Sequence, residues 1–110
     1  MKTVKVENIG SEDDIAQLAD MFRLMGDASR LRIILSCLGK PISVGEIALQ
    51  LELSPSLVSH HLRLLRAARV LKAQRRGKQM FYSACDVHIE CVIADMIAHV
   101  GEASDIKASD

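Results

Sequence analysis

From residue 11 to residue 67, apolar positions recur every three or four residues, and each run is bounded by residues that start or stop a helix. In SEDDIAQLADMFRLMG, residues 11–26, Ile15, Leu18, Ala19, Phe22 and Met25 fall at helical spacing, with Ser11 placed as N-cap, acids in the first turn and Gly26 as the stop. DASRLRIILSCLGK repeats the pattern: Asp27 or Ser29 caps, Leu31, Ile34, Leu35 and Leu38 form the buried stripe, and Gly39 ends the helix. ISVGEIALQLEL, residues 42–53, reads as a short third helix. The turn at ELSPS introduces a fourth, with Ser54 as N-cap and Pro55 at the first helical position, where a missing N–H costs nothing. There Val58, Leu62 and Leu65 make a core stripe, leaving Ser56, Ser59, His60 and Arg63 opposite. The period then changes from 3.6 to 2. VLKAQRRGKQMFYSA alternates on either side of Arg76-Gly77, as a hairpin does when glycine supplies the positive φ of its turn. Helical spacing returns in CDVHIECVIADMIAHVGE, residues 85–102.

Two short helices, a third with a polar outer face and a basic hairpin predict a mainly α chain with a small β-hairpin: a winged helix-turn-helix that dimerises through its first and last helices. Composition agrees. With no Trp, one Tyr and two Phe, the core must be aliphatic, which favours helix-on-helix packing. A chain of 110 residues supports one core, so a single domain is expected over 1–110, with a flexible arm at 1–10 and a flexible tail at 103–110. No run of about 18 apolar residues appears, and MKTVKVENIGSEDD lacks the apolar stretch of a signal peptide. The expectation is a soluble, cytoplasmic protein with no membrane partner.

The formal charge of zero hides an asymmetry. Between Leu53 and Cys85 there is no Asp or Glu, while Arg63, Arg66, Arg69, Lys72, Arg75, Arg76 and Lys78 all lie there. A solvated charged face would explain the polarity of the fourth helix but not the missing acids. A helix set in the major groove of double-stranded DNA uses short hydroxyl donors near its N-terminus and an Arg that grips guanine. Ser54, Ser56, Ser59, His60 and Arg63 are therefore the candidate reading residues, and Arg75, Arg76 and Lys78 the candidate phosphate contacts of the wing.

The segments GDASRLRIILSCL, SVGEIALQLELSPSLVSHHLRLLRAARVL and RRGKQMFYSA resemble the ArsR/SmtB family of metal-sensing bacterial repressors, from about residue 15 to the end. DVH, a second His eleven residues after the first, and Glu three further on look like the zinc site on that family's last helix. The resemblance implies an obligate dimer, operator binding without metal, and release when metal binds.

Geometry reaches the same ligands. Eleven residues are about three helical turns, so His88 and His99 share a face but stand roughly 16 Å apart along the axis. Zinc bonds to nitrogen and oxygen are about 2 Å long, so one ion reaches both ends only by bridging two chains. An antiparallel pair of these helices sets Asp86 and His88 of one protomer beside His99 and Glu102 of its partner, giving two equivalent sites. Ile89, Val92, Ile93, Met96 and Val100 form a separate apolar arc for the dimer core. Two readings compete for the four ligands: Asp86 as a helix cap, and the histidines as satisfied core residues. The donor set suits Zn²⁺, with Co²⁺ or Ni²⁺ as substitutes, and suits neither Cu⁺ nor arsenite. Ser43 and Gly45 stand where the family's arsenic and cadmium sensors carry the cysteines of a third-helix site, so that site is absent. Asp95 falls near the expected two-fold axis, facing its own mate, and Cys91 reads as structural.

Two alternative functions stand beside this one. A thiol-based redox or sulfur-responsive repressor of the same fold would use Cys37, Cys85 or Cys91, although Cys37 is offset by two positions from the place expected for it. A zinc buffer or zinc enzyme would need an open coordination position and a substrate cleft, and no nucleophile with its base is legible here. The chain reads as a binding protein without catalytic residues.

Overall fold

A computed structural model describes the backbone of residues 10–109 and the side chains of residues 10–102. Helix α1 (Glu12–Met25) starts as a reciprocal capping box. Ser11 Oγ accepts from the Asp14 N–H, and the Asp14 carboxylate accepts from the Ser11 N–H, both at 3.2 Å. Helix α2 (Ala28–Ser36) is capped by Asp27, whose carboxylate accepts from the Arg30 N–H at 3.0 Å. Of the two caps expected for it, Asp27 is the one used. Gly39 lies beyond the helix end, at φ +90°, a conformation that side chains disfavour.

Strand β1 (Ile42–Ser43) leads directly into α3 (Val44–Leu51), and α4 (Pro55–Ala67) follows after a turn. Serines cap both helices: Ser43 Oγ accepts from the Glu46 N–H at 3.2 Å, and Ser54 Oγ from the Leu57 N–H at 3.1 Å. Strands β2 (Leu71–Arg76) and β3 (Gln79–Ala84) form the hairpin, in register from Leu71 opposite Ala84 to Arg76 opposite Gln79. Gly77 turns it at φ +62°. β1 adds to the other edge of β3, with Ile42 opposite Tyr82, so the sheet has three antiparallel strands in the order β1-β3-β2. The third strand was not expected, because two residues are too short to show an alternation. Helix α5 (Val87–Ser109) closes the chain.

Ile33 and Ile34 of α2, Ile47 of α3, and Val58, Leu62 and Leu65 of α4 are fully buried, and Val70 and Leu71 seal them against the sheet. Each such side chain contributes about 1.5–3 kcal/mol relative to exposure. The architecture is a helix-turn-helix of α3 and α4 with a β2-β3 wing. Two expected stripes need correction. In α2 the buried residues are Ile33, Ile34 and Cys37, with Leu31 and Leu38 half-buried and Leu35 exposed, so the core-facing side is rotated from the expected one. In α1 only Met25 of the expected stripe is buried, while Ile15, Leu18 and Phe22 are 43%, 52% and 55% exposed. A 3.6-residue period shows which side of a helix is apolar, not whether the same chain covers it.

α5 has the same character. Ile93 is buried and Ile89 half-buried, but Val92, Met96, Ile97 and Val100 are exposed. Phe22, Val92 and Met96 line one apolar hollow between α1 and α5. The expected arm over 1–10, apart from Gly10, lies outside the described residues, as do the side chains over the expected tail at 103–110. No described helix is long and apolar enough to cross a membrane.

Candidate DNA-binding face and metal ligands

α4 carries its two faces as the pattern requires. Val58, Leu62 and Leu65 show no exposed surface, Ser54, Ser56, His60 and Arg63 are exposed, and Ser59 is half-buried. Ser54 Oγ is committed as acceptor in the cap, which leaves its proton free to donate to a phosphate. Ser59 lines a cleft between α3 and the wing, together with Gly45, Lys78 and Gln79. Sequence reasoning did not single out Gly45 or Gln79 as lining that cleft.

The wing cations are held by neutral groups. Arg75 Nε donates to the Gly77 carbonyl at 3.3 Å, and Arg76 Nη2 donates to Gln74 Oε1 at 3.4 Å. The Arg76 guanidinium lies 5.2 Å from the centre of the Phe81 ring. Among the described residues the one arginine or lysine in an ion pair is Arg23, with Asp20, so no arginine or lysine of α4 or the wing is neutralised. A surface of this kind attracts a polyanion, because phosphates meet unpaired guanidinium and ammonium groups.

The candidate metal ligands occupy two separate places on α5. Asp86 caps the helix: its Oδ1 accepts from the Ile89 N–H at 3.1 Å and lies 3.7 Å from His88 Nδ1. The Ile89 amide, and after it His88, hold the Asp86 carboxyl below its usual range. The competing cap reading is thus realised through Oδ1, and Oδ2 has no hydrogen-bond partner among the described residues. His88, His99 and Glu102 are all exposed in the single chain, and the helix is continuous from His88 to Glu102. Within one chain, no three metal-binding side chains converge among the described residues. Exposed carboxylate and imidazole donors fit a divalent ion of zinc type chemically, in two groups that each lack a complement.

The cysteines divide. Cys37 is 1% exposed, and burial pushes its thiol up to about 12, which removes it as a ready nucleophile. Cys85 is half-buried and Cys91 exposed.

One titrating group escaped the sequence reading. His61, next to the expected DNA-facing His60, turns inward against α2, and its Nδ1 is buried with no hydrogen-bond partner among the described residues. Burial, then the Arg30 charge, lowers its pKa, while Asp27 opposes the shift. As pH falls below about 6.5 the unfolded chain takes this proton first, so the stability that neutral His61 contributes is present above that pH and is lost through the lower folded value. The urea midpoint should therefore decline as pH falls through about 6.5 and below, and more gently in His61→Gln; equal slopes for the two proteins contradict this.

Comparison with known proteins adds the lineage. The model for bacterial regulatory proteins of the arsR family matches residues 27–73, from the α2 cap into β2. A transcriptional repressor SmtB homolog from Synechocystis sp. is 33% identical over 93 residues, covering 84% of this chain and 70% of that protein. The chain belongs to the ArsR family. A second ArsR-family relative, a cadmium resistance transcriptional regulatory protein CadC homolog from Staphylococcus aureus, is 32% identical over 91 residues, covering 81% of this chain and 74% of its own length. The homodimeric winged helix-turn-helix DNA-binding domain Mb0332 from Mycobacterium bovis, described as a possible ArsR-family regulator, superposes with a TM-score of 0.78 over 93% of this chain and 92% of that one. At 18% identity that likeness shows the fold alone. ArsR-family proteins are transcriptional regulators built on a DNA-binding fold, not enzymes. The stretch matched by the family model holds the helix-turn-helix and ends before α5, so it carries no information on His88 or His99.

Proposed function

We propose that this chain is a metal-responsive repressor that binds a palindromic operator as a homodimer and leaves it when Zn²⁺, or a similar divalent ion such as Co²⁺ or Ni²⁺, is held between its two α5 helices. The observation that carries the reading is that His88, His99 and Glu102 fall on one exposed side of the unbroken α5, with Asp86 capping its start beside His88, and that the two ends stand roughly 16 Å apart along the axis, a distance no single ion spans. The exposed apolar surfaces of α1 and α5 support a dimer through those helices. The CadC homolog, named for cadmium resistance, supports metal as the signal.

In this reading Ser54, Ser56, Ser59, His60 and Arg63 address one major groove, and Arg75, Arg76 and Lys78 track the neighbouring phosphates. A bound ion supplies a cross-link between chains, because each chain provides half of every ligand set. Asp86 orients the start of α5 through its cap and presents its second oxygen. The test is affinity for a palindrome enriched from a random duplex pool, measured without metal and then with Zn²⁺, Co²⁺, Ni²⁺, Cd²⁺ and an oxidant in turn. Release by Zn²⁺ and indifference to the oxidant support metal sensing. Release by the oxidant alone assigns the signal to Cys85 or Cys91.

A further inference from the structure

Leu57 is the one large apolar side chain exposed on α4. Leu57 is 41% exposed in the first turn, between Ser56 and the fully buried Val58. On the helical projection it stands about 60° from His60 and about 100° from Val58, at the border of the outer face and not on the core stripe. Helical side chains lean toward the N-terminus of their helix, so Leu57 inclines toward the end of α4 that enters a groove. No acid lies between Leu53 and Cys85, the segment that holds both α4 and the wing. These features make DNA the occupant that fits.

We infer that Leu57 is a specificity-determining residue that packs against the C5 methyl of a thymine in each operator half-site. The inference rests on the operator reading above and adds a base identity to it. A leucine side chain has no hydrogen-bond donor for a phosphate and no polar group for a guanine or adenine edge. What the major groove offers it is the thymine methyl, the apolar feature that separates T·A from the other base pairs there. Contact between the two removes apolar surface from water on both sides.

Deoxyuridine isolates the contact, since it pairs as thymine does and lacks only the methyl. With the wild-type chain on its enriched palindrome, each thymine is replaced together with its symmetry mate and affinity is read by fluorescence anisotropy. One thymine pair should weaken wild-type binding roughly fifteenfold, about fourfold per half-site for one methyl group. Leu57→Ala, which keeps a good helix former in the first turn, should show no loss at that pair. Wild-type binding unmoved by uracil at every position overturns the inference and needs no variant to do so. A loss that Leu57→Ala suffers equally overturns it as well, by assigning the methyl to another side chain. If the chain enriches no duplex at all, the operator reading fails and this inference with it; enrichment and an ordinary salt slope without a Leu57-dependent methyl contact contradict this inference alone.

Discussion

Two variants that each fail to hold zinc tightly will hold it when mixed. The first carries Asp86→Ala with His88→Ala, the second His99→Ala with Glu102→Ala. In either homodimer every shared site lacks half its ligands. After subunit exchange, Asp86 and His88 of the second chain meet His99 and Glu102 of the first, and one complete site returns, while its symmetry mate loses all four ligands. A differentially tagged heterodimer should retain about one zinc against a chelator. If instead the ligands belonged to sites within one chain, each chain would keep its own deletion and mixing would restore nothing. An intact heterodimer that holds no zinc contradicts the shared site. The prediction follows from α5 itself, because a helix unbroken from Val87 to beyond Glu102 fixes the separation of the two pairs.

The second large effect is on DNA, where the reading helix and the wing should fail differently. Arg76→Ala and Lys78→Ala each remove one phosphate contact, so they should weaken binding to all duplexes alike and reduce the slope of log K against log salt by about one. Arg63→Ala should instead lose about 1–3 kcal/mol of discrimination at one base position per half-site. The Arg76 guanidinium also stacks on Phe81, so Phe81→Leu should reproduce part of the Arg76 effect. Folded variants with unchanged affinity, specificity and salt slope contradict the assignment of this face.

The helix starts were legible because capping is local chemistry. Ser11, Ser54 and Asp27 each sit three residues before the amide they accept from, and all three bonds form. The core stripe of α4 was legible from its spacing: Val58, Leu62 and Leu65 recur at four and three residues, each followed by a polar residue. α2 was read with its stripe turned, since Leu31, Ile33, Ile34, Leu35, Cys37 and Leu38 surround much of the helix and leave the phase to tertiary packing. Ile15, Leu18 and Phe22 keep the spacing of a buried stripe yet are exposed, because a period records which side of a helix is apolar and not what packs on it. His60 and His61 could not be told apart by residue type, yet one faces outward and the other hides Nδ1 against α2. For Asp86 the cap and the metal reading were posed as alternatives, whereas a carboxylate with two oxygens serves a cap through one and keeps the other available.

In the proposed repressor the α5 ligands and the α4 reading face are coupled, and coupling is reciprocal. The decisive measurement is zinc affinity of the dimer with and without saturating operator, beside operator affinity with and without saturating zinc, at one pH and salt concentration. Zinc should weaken operator binding by a factor of about 5–150, and the operator should weaken zinc by the same factor. Zinc that tightens the operator complex, or that binds with equal affinity whether or not DNA is present, contradicts the account.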